Sequence, residues 1–249
     1  YLYLWCDGVY IKAGIEREKT ALLCVLGVNE NGEKELLAMG EGFRESIASW
    51  SDVFKDLKNR GLKNPLLTIG DGGLGLWGAL EDVYPESKWQ RCWNHKILNV
   101  MDKLPKRLQK DCRKRLREIY QAENKDLCIK WTNQYAKELR LQNHNSAADT
   151  LLRNFEHFTT FYDFPKEHWI NIRTTNPIES IFSGVRNRTN VVKRFRKREN
   201  GKYMIFKIIE RLSINWSKLK GKHNLEYLLD GFKFKDGILM KHNTEIKVA

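Results

Sequence analysis

The segment LYLWCDGVYI, residues 2–11, is rich in aromatic and β-branched side chains around a central Asp-Gly pair. Such a composition predicts a β-strand that is interrupted in the middle by Asp7 and Gly8. Two more strands are predicted at 20–28 (TALLCVLGV) and 34–39 (KELLAM), with the turn sequence NENG between them. The chain therefore opens with a predicted β-meander.

The pattern changes to a helical period after Gly42 and then returns to a strand. Apolar residues recur at helical spacing before a stop at Gly61, namely Ile47, Trp50, Val53, Phe54 and Leu57. A buried strand is predicted at 66–69, followed by GDGG at 70–73 and a short helix at 76–83. Three strands, a helix, a strand and a helix are the opening order of an RNase H-like α/β fold, whose mixed sheet adds parallel strands to the meander.

The rest of the chain is predicted to be mainly helical. Residues 106–160 are dense in Lys, Arg, Gln and Glu, with apolar residues on helical periods, and nothing there resembles a strand. We predict an RNase H-like core at 1–104, an all-helical insertion at 105–160 and the last part of the core at 161–220. That last part contains a helical region from about Pro177, and the tail at 221–249 is weakly patterned.

Charge is distributed unevenly along the chain. The net charge is +13, yet residues 1–84 contain nine basic against thirteen acidic residues, a balance of −4 that leaves +17 for residues 85–249. This asymmetry predicts a polyanionic partner and a separate place where carboxylates gather. A solvated basic surface without a partner is the alternative.

Cysteine usage and hydropathy indicate the compartment. Five cysteines without paired spacing fit a reducing environment. The longest apolar run, at 21–28, is far below the roughly 20 residues of a membrane span, and no leader pattern opens the chain. We expect a cytoplasmic protein without a membrane partner. Because Tyr1 already lies inside an apolar stretch, we also expect that a segment precedes it.

Three carboxylates are the candidate catalytic residues. Asp7 lies mid-strand, where a charge is costly unless it is paired or binds a cation, although Asp-Gly is also a hairpin signal. Asp71 follows the strand at 66–69, at the carboxyl end where α/β sheets place ligands, or else it caps the next helix. Glu179 follows Asn176 and Pro177, so a capping box with Asn176 as N-cap is its alternative. As a set, the three can converge on two Mg²⁺ ions.

The segment QRCWNH at 90–95 places Cys92 and His95 three residues apart. Zinc needs two further ligands at suitable spacing, and the sequence has no second pair of that kind. We therefore do not expect zinc, and we predict a packing and hydrogen-bonding role for both residues near the active site.

A basic stretch follows Glu179 directly and has no acidic residue. Its seven cations are the predicted phosphate contacts: Arg186, Arg188, Lys193, Arg194, Arg196, Lys197 and Arg198. Arg173 and Asn176, beside Glu179, are further predicted DNA contacts. A second dense basic group lies at 106–117. Such runs are usually only solvated faces, and neither predicts base specificity.

The ordered series of motifs resembles the Mutator-type family of bacterial insertion-sequence transposases. The matching elements span about 230 residues and are DGVY at 7–10, GFRES at 42–46 with Trp50, GDG at 70–72 with GLW at 75–77, QRCWNH at 90–95, FYDFP at 161–165 with Trp169, and RTTNPIES at 173–180 with Val185-Arg186 and Arg188-Thr189. No single element is decisive, whereas the order is highly specific.

The resemblance implies an RNase H-like core with a helical insertion before the last catalytic residue. It also implies a DDE triad at Asp7, Asp71 and Glu179 that binds two Mg²⁺ or Mn²⁺, a Cys-x-x-His signature at Cys92 and His95, and double-stranded DNA as the substrate. Such a protein cleaves DNA at element ends and joins the 3′-hydroxyl to target DNA. A bacterial, nucleoid-associated homo-oligomer on DNA is implied as well.

Two other functions remain open. A structure-selective nuclease on the same fold, such as a junction resolvase, would cut branched DNA without joining it. A DNA-binding repressor descended from a dead element would need no intact triad, whereas all three carboxylates are present here.

Overall fold

The computed structural model describes residues 1–12, 19–42, 45–189 and 198–240, with only the backbone at 11–12, 19–20, 74, 187–189 and 198. Its centre is a five-stranded mixed sheet in the order β3-β2-β1-β4-β5. The strands are β1 (Tyr3–Lys12), β2 (Lys19–Val28), β3 (Lys34–Gly42), β4 (Leu67–Gly70) and β5 (Lys88–Arg91). The first three are antiparallel, and β4 and β5 continue the sheet in parallel with β1. An α/β fold with a mixed sheet, as predicted, is confirmed.

Alternation along β1 divides the core between the two faces of the sheet. Leu4 and Cys6 point to one face, and Tyr3, Trp5 and Val9 point to the other. By the same period, Asp7 belongs to the face of Trp5 and Val9. The elements that cover this second face therefore decide what surrounds the Asp7 carboxylate.

Two helices cover the first face. They are α1 (Ile47–Asn59) and α2 (Leu74–Val83), and their buried side chains pack with Leu4 and Cys6 into one apolar cluster. The Ser46 hydroxyl caps α1 by accepting from the Ser49 amide. The Trp50 and Phe54 rings stack with their centroids 5.8 Å apart, one helical turn from each other. The cluster on this face consists of apolar side chains.

Helices also account for the segment after β5. They are α3 (Trp93–Met101), α4 (Lys106–Tyr120), α5 (Lys125–Leu141) and α6 (Asn145–Leu152), followed by 3₁₀ turns at Phe155–Phe158, Thr160–Asp163 and Lys166–His168. The prediction that residues 106–160 form helices without strands is confirmed. The buried Lys96 amine donates to the carbonyl oxygens of Thr150 (2.8 Å) and Arg153 (2.9 Å), which ties α3 to the end of α6.

The last elements complete the second face and extend beyond it. They are α7 (Trp169–Ile172), α8 (Asn176–Thr189), α9 (Arg198–Ser213), α10 (Asn224–Leu229), β6 (Phe234–Lys235) and β7 (Ile238–Leu239). Sequence patterns predicted no element after 221, whereas the structure has a helix and a two-stranded hairpin there, turned by Asp236 and Gly237. In the part of the chain that the structure describes, no helix combines the length and apolar character needed to cross a membrane.

Candidate active site

The parallel register of the sheet brings Asp7, Asp71 and Cys92 to the same level along the strands. Trp5 pairs with Ile69, so Asp7 and Asp71 each lie two residues further along neighbouring strands. Gly70 in turn pairs with Arg91, which places Cys92 beside Asp71. Because adjacent strands lie roughly 4.8 Å apart, the carboxyl end of β4 faces the middle of β1.

Asp7 lies within an uninterrupted strand. It pairs with Cys24 of β2, and β1 continues to Lys12, so the alternative that Asp7-Gly8 forms a hairpin turn is wrong. The Gly8 amide donates to Asp7 Oδ1 at 2.8 Å. Burial is the main cause that raises the pKa of Asp7 from 3.8 to about 7, with smaller raising contributions from the Asp71 and Glu45 carboxylates and lowering contributions from the Gly8 amide and His95.

Asp71 forms the turn between β4 and α2. Its Oδ1 accepts from the Gly73 amide at 2.8 Å, and its carbonyl oxygen accepts from the Trp77 indole at 3.0 Å. The N-cap of α2 is Gly73, and no side chain caps this helix. The alternative that the Asp71 side chain caps α2 is therefore wrong.

Glu179 lies in the first turn of α8, and the start of that helix is one residue earlier than predicted. The Thr175 carbonyl oxygen accepts from the Glu179 amide at 2.9 Å, which makes Thr175 the N-cap in place of Asn176. The Thr175 hydroxyl donates to Glu179 Oε1 in a short contact. The Asn176 side chain accepts instead from Asn94 Nδ2 at 2.6 Å, so the capping box proposed for Asn176 and Glu179 does not form.

His95 lies between the carboxylates. Its Nδ1 is 3.8 Å from Glu179 Oε1, and it is buried without a hydrogen-bond partner among the described residues. The pKa of His95 is raised from 6.5 to about 9, mainly by interaction with the Cys92 side chain and also by the charges of Glu179 and Asp71, against a lowering contribution from burial. The Asp7 and Glu45 carboxylates interact with the same imidazole. Glu179 therefore lies close to His95, and the charges of Asp7, Glu45 and Asp71 act on the same imidazole.

Cys92 and Thr175 connect β5 to the start of α8. The Thr175 amide donates to Cys92 Sγ at 3.3 Å, and the Thr175 hydroxyl lies 3.1 Å from the same sulfur. One hydroxyl proton cannot serve both Cys92 and Glu179, so the Thr175 hydroxyl donates to only one of the two at a time. The Cys92, His95 and Glu179 ligand atoms lie within 4.8 Å of one another, a set that could hold a metal ion.

Glu45 belongs to the cluster, although the sequence identified it only as part of GFRES. A Cβ on Gly8 would lie 2.5 Å from Glu45 Oε1, and a Cβ on Gly75 would lie 2.2 Å from the Glu45 carbonyl oxygen. Glycine at these two positions therefore lets the Glu45 segment approach β1 and α2. Burial raises the pKa of the Glu45 carboxyl, and Asp71 raises it further.

Arg91 is a second residue that sequence reasoning missed, although it lies in the QRCWNH motif. Burial lowers the pKa of its guanidinium, whereas the nearby Asp71 carboxylate raises it. The guanidinium carbon lies 5.1 Å from the centroid of the Phe158 ring, and Nε is buried without a hydrogen-bond partner among the described residues. A cation held this close to the carboxylates is suited to a phosphate.

The structure describes three of the predicted DNA contacts. The Arg173 guanidinium lies over the Tyr120 ring at 4.6 Å, and Asn176 is exposed and bonded to Asn94. Arg186 is exposed on α8, two turns after Glu179 and roughly 10 Å along the same side of the helix. The side chains of Arg188 and Arg198, and all of Lys193, Arg194, Arg196 and Lys197, lie outside the described residues.

A groove elsewhere on the surface is lined by none of the four carboxylates, nor by His95 or Arg91. It has a volume of about 810 Å³ and lies between β3, α1 and α9, where Leu36, Val53 and Phe206 contribute to its walls. Its polar groups come from other residues, among them Glu41, Asp52 and Asp56. The carboxylates are thus presented at the end of the parallel strands and not inside this groove.

The chemistry of the cluster fits a divalent metal. Asp7, Glu45, Asp71 and Glu179 supply hard oxygen donors, which Mg²⁺ and Mn²⁺ prefer. The charges of the four carboxylates act on only two cationic groups that the structure describes at the cluster, the His95 imidazole and the Arg91 guanidinium, so negative groups outnumber positive ones. A divalent cation would supply the missing positive charge.

Comparison with known proteins gives one family for this chain. The model of a family described as "Transposase, Mutator family" matches residues 1–219. That range contains every carboxylate of the cluster as well as Cys92 and His95.

Individual relatives carry the same description. The chain is 39% identical over 246 residues to the transposase for insertion sequence element IS6120 of Mycolicibacterium smegmatis, covering 99% of the chain and 76% of the relative. It is 39% identical over 224 residues to the transposase for insertion sequence element IST2 of Acidithiobacillus ferrooxidans, covering 90% and 75%. A third, for insertion sequence element ISRM5 of Rhizobium meliloti (strain 1021), is 28% identical over 239 residues, covering 92% and 58%.

Proposed function

The chain belongs to the Mutator family of transposases, and from that premise we propose that it is the catalytic core of a DDE-type DNA transposase. Its substrate is double-stranded DNA, at the ends of an insertion sequence and at the target. The reaction is hydrolysis of a phosphodiester followed by transfer of the freed 3′-hydroxyl to target DNA. We place this activity in a bacterial, nucleoid-associated homo-oligomer.

One observation carries the proposal. The parallel pairing of β1 and β4 places Asp7 and Asp71 each two residues beyond the Trp5–Ile69 pair, and Glu179 of a later helix lies 3.8 Å from His95, whose imidazole also interacts with the charges of Asp7 and Asp71. Residues that are far apart in sequence therefore share one site. The mixed sheet with its antiparallel meander and two parallel strands supports an RNase H-like core.

Asp7, Asp71 and Glu179 are the residues that would hold two Mg²⁺ or Mn²⁺ ions, and Glu45 is close enough to assist. When bound, such a pair of metals activates the attacking oxygen and stabilises the leaving one. Two residues outside the triad position one of its carboxylates. Thr175 orients the Glu179 carboxylate through its hydroxyl, and Cys92 fixes Thr175 on the side of β5.

The cations near the cluster would hold the DNA backbone. Arg91 lies beside Asp71, and Arg186 lies two turns beyond Glu179, so they flank the carboxylates on two sides. Phosphate contacts of this kind position a duplex without reading its sequence. We propose water and then a 3′-hydroxyl as the nucleophiles, without a covalent protein–DNA intermediate.

Asp7→Asn in the full-length protein tests the assignment, with Asp52→Asn as the matched control because Asp52 is exposed on α1. Asp7→Asn should reduce metal-dependent cleavage of element-end DNA on the order of 10³-fold. DNA binding should stay within about twofold of wild type, because the asparagine keeps the shape of the side chain. Cleavage that is equal in Asp7→Asn and Asp52→Asn would exclude the triad.

A strand-transfer assay separates the transposase from a structure-selective nuclease. Pre-cleaved element-end DNA and a plasmid target are incubated with wild-type protein and Mg²⁺ or Mn²⁺, and joined products are counted. A transposase core joins the 3′-hydroxyl to the plasmid. Cleavage of branched DNA without any joining would identify a nuclease instead.

A further inference from the structure

One side of α4 carries a row of cations that the proposed reaction does not use. Six basic residues form it, and we name them the cationic stripe: Lys106, Arg107, Lys110, Arg113, Lys114 and Arg117. At 3.6 residues per turn they fall within an arc of about 120°. Cys112, Leu116 and Ile119 are buried on the opposite side. The helix therefore presents apolar residues to the core and cations to solvent.

The stripe lacks counter-ions. Within the ranges that the structure describes, none of the six forms an ion pair with an acidic side chain. Arg115, which lies outside the arc, is the residue of α4 that pairs with Glu118 and Glu138. Five of the six side chains are exposed and Arg113 is partly buried. Such a row of like charges is available to a polyanion.

The end of the stripe lies beside the candidate active site. The Tyr120 ring, at the end of α4, contacts the Trp93 ring with centroids 5.6 Å apart and the Arg173 guanidinium at 4.6 Å. Trp93 follows Cys92 directly, and Arg173 lies six residues before Glu179. Arg117 is about one turn before Tyr120, so the stripe leads away from the elements that carry the cluster.

The dimensions of the stripe match a DNA backbone. Lys106 and Arg117 are eleven residues apart, or roughly 16 Å along the helix axis. Phosphates of one DNA strand rise about 3.4 Å each along the duplex axis and are displaced around it, so a straight helix of this length reaches about three successive phosphates. Lysine and arginine on a solvent-exposed helix are typical contacts to phosphate oxygens, and they need no particular base.

We infer that the cationic stripe of α4 binds the phosphate backbone of duplex DNA that continues beyond the scissile bond, an inference that rests on the proposed function. The contact is electrostatic and independent of sequence. It extends the DNA path from the carboxylate cluster across the outer side of the helical segment. Its contribution to affinity therefore depends steeply on salt.

A charge-matched pair of triple variants in the full-length protein tests the stripe. Lys106→Gln, Lys110→Gln and Lys114→Gln are combined in one protein. Lys55→Gln, Lys63→Gln and Lys220→Gln are combined in the control, and these three are exposed on other parts of the chain. Both proteins lose three positive charges. Binding to a duplex that extends well beyond the cleavage site is measured from 50 to about 300 mM salt without divalent metal.

In the stripe variant the negative slope of log K against log salt should become shallower by about 2.7, because each lost phosphate contact removes roughly 0.9 from its magnitude. The control should retain nearly the wild-type slope. Equal slopes in the two variants would refute the inference. A wild-type protein that fails to cleave refutes the proposed function, while the binding slopes still decide the stripe.

Discussion

The carboxylate cluster and the helix α4 both concentrate like charges, but they do so under opposite conditions. Asp7, Glu45, Asp71 and Glu179 are partly or largely buried and come from separate elements that converge on His95. The cations of the cationic stripe come from one helix, point to solvent and spread along its axis. One arrangement concentrates charge in a volume, and the other spreads it along a line.

Because of this difference, the two regions gain binding energy from different kinds of ligand. Buried like charges repel strongly because little solvent screens them, so the cluster costs folding stability that a divalent cation can recover. Exposed cations are screened within roughly 8 Å at physiological salt, so the stripe costs little and gains from a polyanion. The first region is built to hold a compact ion, and the second to hold an extended one.

The largest expected effect comes from removing one carboxylate charge from the cluster. Glu179→Gln should lower the cleavage rate on the order of 10³-fold, because the amide cannot replace a carboxylate as a metal ligand. Glu81→Gln, on the exposed side of α2, should change the rate less than about twofold. Single-turnover cleavage at saturating DNA is the measurement, and similar rates in the two variants would break the contrast between the regions.

Removing a carboxylate charge from the cluster should raise the stability of the folded protein, although it lowers the cleavage rate. The pKa of Asp7 is raised from 3.8 to about 7, so the unfolded chain ionises first and the charged carboxylate disfavours the folded state. This cost is absent below about pH 4, grows as the pH rises to about 7 and is complete above it. The full shift corresponds to roughly 4 kcal/mol.

Asp7→Asn should therefore raise the melting temperature in EDTA at pH 8. We expect on the order of 2 kcal/mol, or roughly 5 °C, because the asparagine remains a buried polar group. The gain should shrink towards zero near pH 4, and adding Mg²⁺ should stabilise the wild type more than the variant. Asp52→Asn serves as the control in the same melts. A lower melting temperature for Asp7→Asn at pH 8 would contradict a destabilising effect of this buried charge.

Local patterns were sufficient to predict the β-meander, the strand before Asp71 and the helical character of residues 106–160. Each of these features repeats with a period of 2 or 3.6 residues, which the sequence records directly. The strand β5 was not predicted, because its sequence KWQR is polar and short, and its pairing with β4 depends on a distant segment. The hairpin after 221 was missed because each of its strands has only two residues, too few to show a period.

The candidate site was only partly predictable. Asp7, Asp71 and Glu179 stand in recognisable motifs, whereas Glu45 joins them through close packing against Gly8 and Gly75. That contact links segments that are not neighbours in sequence, so no local pattern contains it. The N-cap of α8 is similarly set by Thr175, whose contact with Cys92 crosses more than eighty residues.

Substitution of Thr175 should change the cleavage rate by an intermediate amount, because Thr175 acts on the cluster through Glu179. Thr175→Val keeps the shape but removes the hydroxyl between Cys92 and Glu179, so the carboxylate loses its orientation. We expect the maximal cleavage rate to fall roughly 10- to 100-fold with little change in affinity for DNA. The Mg²⁺ concentration for half-maximal rate should rise as well.

Thr175→Ser is the matched control for this positioning role, because it retains the hydroxyl. It should restore most of the rate and the wild-type Mg²⁺ dependence. If Val and Ser variants lose the same activity and melt at the same lower temperature, Thr175 serves only the fold of α8.

The smallest expected effect is on stability at the cationic stripe. Lys110→Gln removes one like charge from the middle of an exposed row, where water and salt already screen the repulsion. Its melting temperature should stay within about 1 °C of the wild type, with a slight gain at 20 mM salt that disappears at 0.5 M. The gain from Asp7→Asn should persist at 0.5 M, because salt screens a buried carboxylate much less. Differential scanning fluorimetry of both variants at the two salt concentrations measures this, and a salt-sensitive gain of several degrees in Lys110→Gln would mean that the stripe is strained in the way the cluster is.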